Sequence, residues 1–132
     1  MRQWTRWVVW LGLAILVGGG GLAACQRNRG SPIQISRDFI VATWTGNTKR
    51  VQALSCKDTR WSITGDPTLT VEMDHAHFEV TSQTKTQVDV ALSGIVTFKS
   101  PGGQIEVRDL DQAGTTVFVL EDEHGWKVCD VR

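Results

Sequence analysis

The sequence predicts an α+β protein in which N-terminal helices pack on a curved antiparallel sheet of four to five strands. Apolar residues at helical spacing are confined to residues 36–54, whereas residues 69–131 alternate apolar and polar side chains with a period of two. The predicted strands are joined by short connections, which require antiparallel pairing. Helices set against one face of such a sheet are typical of the α+β class.

Two helices are predicted ahead of the strands. Ser36 is a suitable N-cap for the first, which we expect to end at residue 45. Gly46-Asn47 then predicts a turn, because glycine favours the backbone conformation that follows a helix. Asn47 is placed to cap a second, short helix that starts at Thr48 and ends near Leu54.

The apolar face of the first predicted strand changes sides at Asp74-His75. The apolar residues before and after this point are Leu69, Val71, Met73 and then Ala76, Phe78, Val80. A slip of one residue inside a strand is what a β-bulge produces, and bulges bend sheets. The later strands are predicted to begin at Val88, Ile105 and Trp126, and Asp111 to Gly114 breaks or bulges the strand from Ile105 before it resumes at Val117.

Composition limits the chain to one domain and argues against nucleic-acid binding. The chain has 132 residues, with 14 basic and 14 acidic side chains. A chain of this length allows one domain, and zero net charge leaves no broad electrostatic footprint for nucleic acid. Three of its six tryptophans fall within the first ten residues, so the composition describes two different pieces of chain.

The first 24 residues have the parts of a secretory signal peptide in order. Arg2 and Arg6 form a basic start, residues 7–17 are apolar, and small residues follow. The alternatives are an ordinary signal peptide and an uncleaved transmembrane helix over residues 7–24, which is barely long enough to span a bilayer. Five of those positions are glycine, which is a poor helix former.

Residues 22–25, Leu-Ala-Ala-Cys, resemble the lipobox of bacterial lipoproteins. The resemblance implies cleavage after the signal peptide of residues 1–24 and attachment of a diacylglyceryl group to the Cys25 sulfur. Two or more acyl chains hold a protein firmly on a membrane. We therefore expect residues 25–35 to be the lipidated cysteine and a tether, and residues 36–132 to form a domain on the outer face of the bacterial cell membrane.

Cys56 and Cys129 are an even pair in an exported domain, and in an oxidising compartment such a pair predicts a disulfide. The alternative is two separate buried thiols. Metal binding by this pair alone is not expected, because structural zinc sites need four ligands and no Cys-x-x-Cys spacing occurs. Trp126 and Val128 share one face of the last predicted strand, so Cys129 must reach around an edge or lie at a bulge.

Two segments resemble the nuclear-transport-factor-2-like, or cystatin-like, domains. Residues 39–56 look like their opening helix, turn and short helix, with Asn47 in place of the usual Asp. Residues 121–129 resemble their final hairpin, an acidic turn with glycine followed by Trp-Lys-Val. The resemblance covers roughly residues 36–132 and implies helices on a curved sheet, a plan that small bacterial lipoproteins share.

Some proteins of this superfamily are ketosteroid-isomerase-like enzymes, whose mechanism resembles an Asp base with a Tyr and a neutral Asp as oxyanion donors. The sequence contains no Tyr, so that mechanism cannot be transferred. Asp74 and Asp89 lie in predicted strands and could face a cavity. Asp89, however, lies at a polar position of the alternating pattern, where exposure to solvent is expected. His75 and His77 would share one face of a strand, yet three histidines in the chain leave too few ligands for a metal site. We expect no metal and no cofactor.

Trp44, Trp61 and Trp126 are the large aromatic residues of the predicted domain. Core packing is the usual role of such residues, and the alternative is that they line a ligand pocket in the curved sheet. With no catalytic constellation in the sequence, we expect a non-enzymatic, membrane-anchored binding or accessory module for a protein partner or small ligand. The other hypotheses are an envelope enzyme that uses an acid or His in the sheet cavity, and a structural subunit of a membrane complex.

Overall fold

The computed structural model describes residues 30–112 and 114–132. Its elements are helices α1 (Pro32–Trp44) and α2 (Thr48–Leu54) and strands β1 (Thr70–Gln83), β2 (Gln87–Lys99), β3 (Ile105–Asp109), β4 (Thr116–Asp122) and β5 (Trp126–Val131). The predicted α+β class, with two helices packed on an antiparallel sheet, is confirmed. The signal peptide and Cys25 lie outside the described residues. Within those residues, the helices are all too short or too polar to cross a bilayer.

Helix α1 begins ahead of the position that the sequence predicted. Ser31 is the N-cap instead of Ser36, and Pro32 occupies the first turn, where its missing N–H removes no helical hydrogen bond. Ser36 lies inside the helix, fully buried, and its hydroxyl donates to the Pro32 carbonyl at 2.8 Å. The tether predicted over residues 25–35 is therefore too long, because its last four residues belong to α1.

The turn between the helices follows the prediction. Gly46 has a φ of 69°, and the Asn47 side chain caps α2 by accepting a hydrogen bond from the Arg50 N–H at 3.1 Å. Both helices turn apolar side chains toward the sheet, and the buried ones are Phe39, Ala42, Val51 and Leu54. The two short elements therefore act as one layer over the sheet.

Strand β2 is the centre of the five-stranded sheet. β1 pairs along one of its sides, while on the other side β4 pairs with its first half and β3 with its second half, all antiparallel. β5 pairs with β4. Ser55, just after α2, adds a parallel bridge to Val128 of β5, so the segment after α2 covers part of the β5 edge.

The predicted bulge in β1 is confirmed. The register of β1 against β2 shifts between Glu72 and His75. Gly94 of β2 lies at the same level with a φ of 94°, and a Cβ added to it would overlap the His75 carbonyl oxygen. Only glycine permits this close backbone approach, so the two strands are bent together at one place.

The core lies between the helices and one face of the sheet. Its fully buried sheet residues are Val88, Val90, Leu92, Val96, Phe118, Leu120 and Val128. The Phe39 ring of α1 makes edge-to-face contacts with Phe118, at a centroid distance of 6.1 Å, and with Trp61, at 5.3 Å. Such pairs contribute roughly 0.5–1.5 kcal/mol beyond the area they bury. The rings therefore fasten α1 to the middle of the sheet.

The connection between α2 and β1 is held against α1 at Asp66. The Asp66 N–H donates to the Trp44 carbonyl at 3.0 Å. Its carboxylate accepts from the Thr68 hydroxyl and N–H, at 2.6 and 2.9 Å, and these two bonds lower the pKa of Asp66 below its ordinary value of 3.8. Because the folded-state pKa is depressed, the two hydrogen bonds stabilise the fold in full above the ordinary pKa of 3.8, and this stabilisation is lost as the pH falls through the folded-state pKa.

We predict that Gly65→Ala destabilises the protein by about 1–3 kcal/mol, the usual cost of overpacking. A Cβ at Gly65 would overlap the carbonyl oxygens of Thr43 and Trp44, and backbone atoms cannot rotate away. Chemical denaturation measures the change. Gly102→Ala is the matched control, since its Cβ would meet only the Ser100 hydroxyl, at 4.0 Å, and its effect should stay within about 0.5 kcal/mol. Equal losses in the two variants would contradict the prediction.

Candidate functional site

A groove of about 690 Å³ runs between α1 and the first half of β1. We call it the α1–β1 groove. Its aliphatic lining residues are Val41, Ala42, Val71, Met73 and Ala76, and its polar and charged ones are Arg37, Asp38, Thr45, Asn47, Arg50 and Asp74. The volume lies within the range of about 300–1,000 Å³ that ligand sites occupy. An apolar floor with a charged rim is thus available on the helix side of the sheet.

The bulge in β1 is what builds the floor of this groove. In an unbroken strand Met73 and Ala76, three positions apart, would point to opposite faces. The bulge between them turns both toward the core side, where Met73 and Val71 are half-buried and Ala76 is buried. The sequence signal for this floor was therefore the phase change at Asp74-His75. The opposite wall is formed by α1, and its position over β1 could not be predicted from the sequence.

The rim of the groove carries charges of both signs. Arg50 Nη2 lies 3.4 Å from Asp38 Oδ2, and Asp38 also accepts from the Gln34 amide at 2.8 Å. The Arg37 guanidinium sits over the Phe78 ring, 5.3 Å from its centroid. Exposed ion pairs contribute about 0–1 kcal/mol, so the Arg50–Asp38 pair can be exchanged for contacts with a ligand at little cost.

The acids and histidines that the sequence singled out are not gathered into one site. Asp74 is exposed at the groove. His75 and His77 are exposed, and they pair with Ile95 and Ser93 of β2 on the opposite face of the sheet. Asp89 is half-buried in β2. Among the described residues, the side chains close enough to share a metal ion include neither of these two histidines.

The three tryptophans proposed as pocket residues pack in the core. Trp126 is 5% exposed, and the Trp44 ring contacts Phe98 edge-to-face at 5.1 Å. Trp61 is half-buried and its Nε1–H donates to the Ser55 hydroxyl at 2.9 Å. Within the described residues, the lining of the α1–β1 groove includes none of the three. Core packing, which the sequence favoured for these residues, is therefore the role observed, and the aliphatic residues that form the groove were not identified from the sequence.

Cys56 and Cys129 lie at disulfide-bonding distance, with their Cα atoms 4.9 Å apart. The register between β4 and β5 shifts between Val119 and Leu120, so Cys129 is the extra residue of a bulge. Of the two ways predicted for it to meet Cys56, the bulge is the one observed. Cys56 reaches this edge because its N–H donates to the Val128 carbonyl at 2.9 Å.

We predict that peptide mapping without reduction finds Cys56 linked to Cys129 in the protein isolated from its native cells. The loop spans a sequence separation of 73, and closing a loop of this size stabilises a fold by about 4 kcal/mol in the chain-entropy model. A reduced sample is the control and should release both peptides. Alkylation of both cysteines in unreduced, folded protein would contradict the bridge.

Comparison with known proteins gives no relative for this chain: no family model, curated protein or solved structure matches it. The α+β fold is given by the structure. The lipoprotein signal and the likeness to nuclear-transport-factor-2-like domains rest on the sequence motifs alone. Function is therefore argued from those motifs together with the α1–β1 groove.

Proposed function

We propose that the protein is a lipid-anchored lipoprotein of the bacterial envelope, whose domain acts as a non-enzymatic binding or accessory module through the α1–β1 groove. The groove is the observation that carries this proposal. Its floor of five aliphatic residues and its rim of two Arg and two Asp combine apolar area with a few orienting charges. With six polar or charged residues among the eleven that line it, the groove is more polar than a typical small-molecule pocket.

The lipobox supports a position on the outer face of the cell membrane. Cleavage before Cys25 would leave six residues between the lipidated cysteine and Pro32, the first residue of α1. An extended chain spans at most about 3.5 Å per residue, or about 21 Å for this segment. The domain would therefore stay close to the bilayer, within reach of the exposed parts of other envelope proteins.

The shape of the groove favours a segment of a protein partner over a small ligand. Small molecules usually bind in pockets that bury about 70–90% of their surface, whereas this groove is open to solvent along α1. A partner segment brings its own apolar side chains for the floor and its own backbone and charges for Arg37, Arg50, Asp38 and Asp74. A small ligand remains the second outcome that the experiment below distinguishes.

The enzyme hypothesis has less support from the site. The carboxylates of the groove, Asp38 and Asp74, are half-buried and exposed, respectively. Asp38 is already engaged by Arg50 and Gln34. The two histidines of β1 face away from the groove. A general acid or base needs a partner within hydrogen-bonding reach of the reacting group, and the described groove residues show no acid–histidine pair.

We predict that Cys25→Ala abolishes both lipid labelling and membrane retention. Without the sulfur there is no atom for the thioether, so the acyl chains that would hold the protein on the membrane are not attached. Metabolic labelling with an alkyne fatty acid and fractionation after a carbonate wash measure the two effects. Cys56→Ala is the matched control and should keep its label. A labelled, membrane-bound Cys25→Ala protein would remove the lipoprotein proposal.

We predict that a benzophenone amino acid at Val41, in the groove, gives a discrete cross-linked product in the native cells. The same probe at Val107, which is 63% exposed on β3, is the control and should not give that product. Met73→Arg in the Val41-probe protein places a charge on the apolar floor. It should reduce the yield at least about tenfold, which corresponds to about 1.4 kcal/mol.

The mass of the product separates the two kinds of ligand. A shift to the size of a second polypeptide indicates a protein partner, whereas an addition of a few hundred daltons to the intact chain indicates a small ligand. Identical products from Val41 and Val107, or a yield unaffected by Met73→Arg, would show that the groove is not the binding site.

A further inference from the structure

Two carboxylates lie beside the cysteine pair, close to the C-terminal end of α2, whereas the groove is lined by residues at the start of that helix. The donor atoms of Cys56, Glu121, Glu123 and Cys129 all lie within 4.8 Å of one another. We call these four side chains the cysteine–glutamate cluster. They come from four separate places in the fold: the segment after α2, the end of β4, the β4–β5 turn and the β5 bulge.

Contacts with Cys129 and with the backbone N–H of Lys57 place the two glutamate side chains of this cluster. Glu121 Oε2 lies 3.2 Å from the Cys129 sulfur, and Glu123 Oε1 accepts from the Lys57 N–H at 3.0 Å. Lys127 pairs with Glu121 across the hairpin, but its ammonium donates to a backbone carbonyl of α2 at 2.7 Å. Within residues 30–112 and 114–132, the ion pairs formed by Lys and Arg involve neither glutamate.

The donor set suits a thiophilic divalent cation once the two sulfurs are not bonded to each other. Two thiolates and two carboxylates supply the four ligands of a tetrahedral Zn²⁺ site. With metal–sulfur bonds of about 2.3 Å and metal–oxygen bonds of about 2.0–2.2 Å, ligand atoms of such a site lie about 3.3–3.8 Å apart. Small side-chain rotations bring atoms already within 4.8 Å of one another to that spacing. The cation also offsets the negative charge that the four ligands accumulate.

We propose that the cysteine–glutamate cluster of the reduced chain binds one thiophilic divalent cation of the Zn²⁺ type, and that cation and disulfide exclude each other. Binding forms two metal–thiolate bonds and releases the two thiol protons to solvent. A protein disulfide of the compartment can then oxidise the site. Two electrons pass from the metal-bound thiolates to that disulfide. The Cys56–Cys129 bond then forms, the oxidant takes up two protons as it becomes a dithiol, and the cation leaves.

Cobalt binding to the full chain tests this proposal, because Co²⁺ replaces Zn²⁺ and reports its ligands by absorption. Cys25→Ser leaves Cys56 and Cys129 as the only cysteines of the chain. This protein, in detergent, is reduced with a phosphine and desalted without oxygen. One equivalent of Co²⁺ should then give tetrahedral ligand-field bands and a thiolate-to-metal charge-transfer band, and Zn²⁺ should abolish both. The same protein, oxidised to the disulfide, should give neither.

The carboxylate ligands are tested with paired double variants in that background. Glu121→Gln with Glu123→Gln replaces both carboxylate ligands with neutral amides and should weaken Co²⁺ binding at least about tenfold, since even the loss of an outer partner of a metal ligand costs that much. Glu72→Gln with Glu106→Gln removes the same charge from β1 and β3 and should change the affinity little. Circular dichroism confirms that both fold.

Three results would overturn the proposal. Equal Co²⁺ affinity in the two double variants would exclude the glutamates as ligands. Binding without the charge-transfer band would exclude the cysteines. Equal binding by the oxidised chain would show that disulfide and cation do not compete. None of these outcomes depends on the groove or on the lipid anchor, so this experiment tests the metal site independently of the proposed function.

Discussion

The contact between the His75 carbonyl and Gly94 determines the shape of the sheet and, with it, the groove. Because Gly94 has no side chain, β1 can bulge toward β2 and change the face to which its apolar residues point. Glycine in a strand costs about 0.5–1 kcal/mol relative to alanine. Full burial of a methionine or valine side chain is worth about 1.5–3 kcal/mol, so even half-burial of Val71 and Met73 together exceeds that cost. The bend is therefore favourable for folding as well as necessary for the floor of the α1–β1 groove.

A second bulge, in β5, likewise changes the direction of a side chain at the other end of the sheet. The one-residue shift in β5 makes Cys129 an extra residue of the strand, so its direction is not set by the alternation that would place it opposite Trp126 and Val128. Cys129 then meets Cys56 at the edge of the sheet, where the Cys56 N–H already bonds to β5. An uncovered edge strand invites pairing with other chains, and this segment blunts the β5 edge. In both places, one extra residue in a strand redirects a side chain that strict alternation would have placed on the wrong face.

The sequence predicted those features that depend on neighbouring residues, and it failed where distant segments decide. The phase change in β1 and the Asn47 cap are local patterns, and both were found. The start of α1 was placed too late because Ile33 and Ile35 follow a polar stretch and show no helical pattern by themselves. They belong to the apolar face of α1 only because they pack against the distant core. The sequence offered only the tryptophans as pocket residues, as the alternative to core packing, because side-chain size predicts burial without specifying which cavity a side chain lines. The approach of the acidic β4–β5 turn to Cys56 likewise follows from strand register, which composition does not encode.

Helix α2 lies between the groove and the cysteine–glutamate cluster, and its position does not depend on the state of the two cysteines. Its first turn carries Arg50, on the groove rim, and Cys56 follows closely after its end. A helix of seven residues is too short to persist alone in water, so its position is set by contacts at both ends and by the burial of Val51 and Leu54. The contact at the far end is a backbone hydrogen bond to β5 together with the Ser55 bridge, and neither uses a sulfur atom. Exchange of the disulfide for a bound cation therefore leaves α2, and the charges it contributes to the groove, where they are.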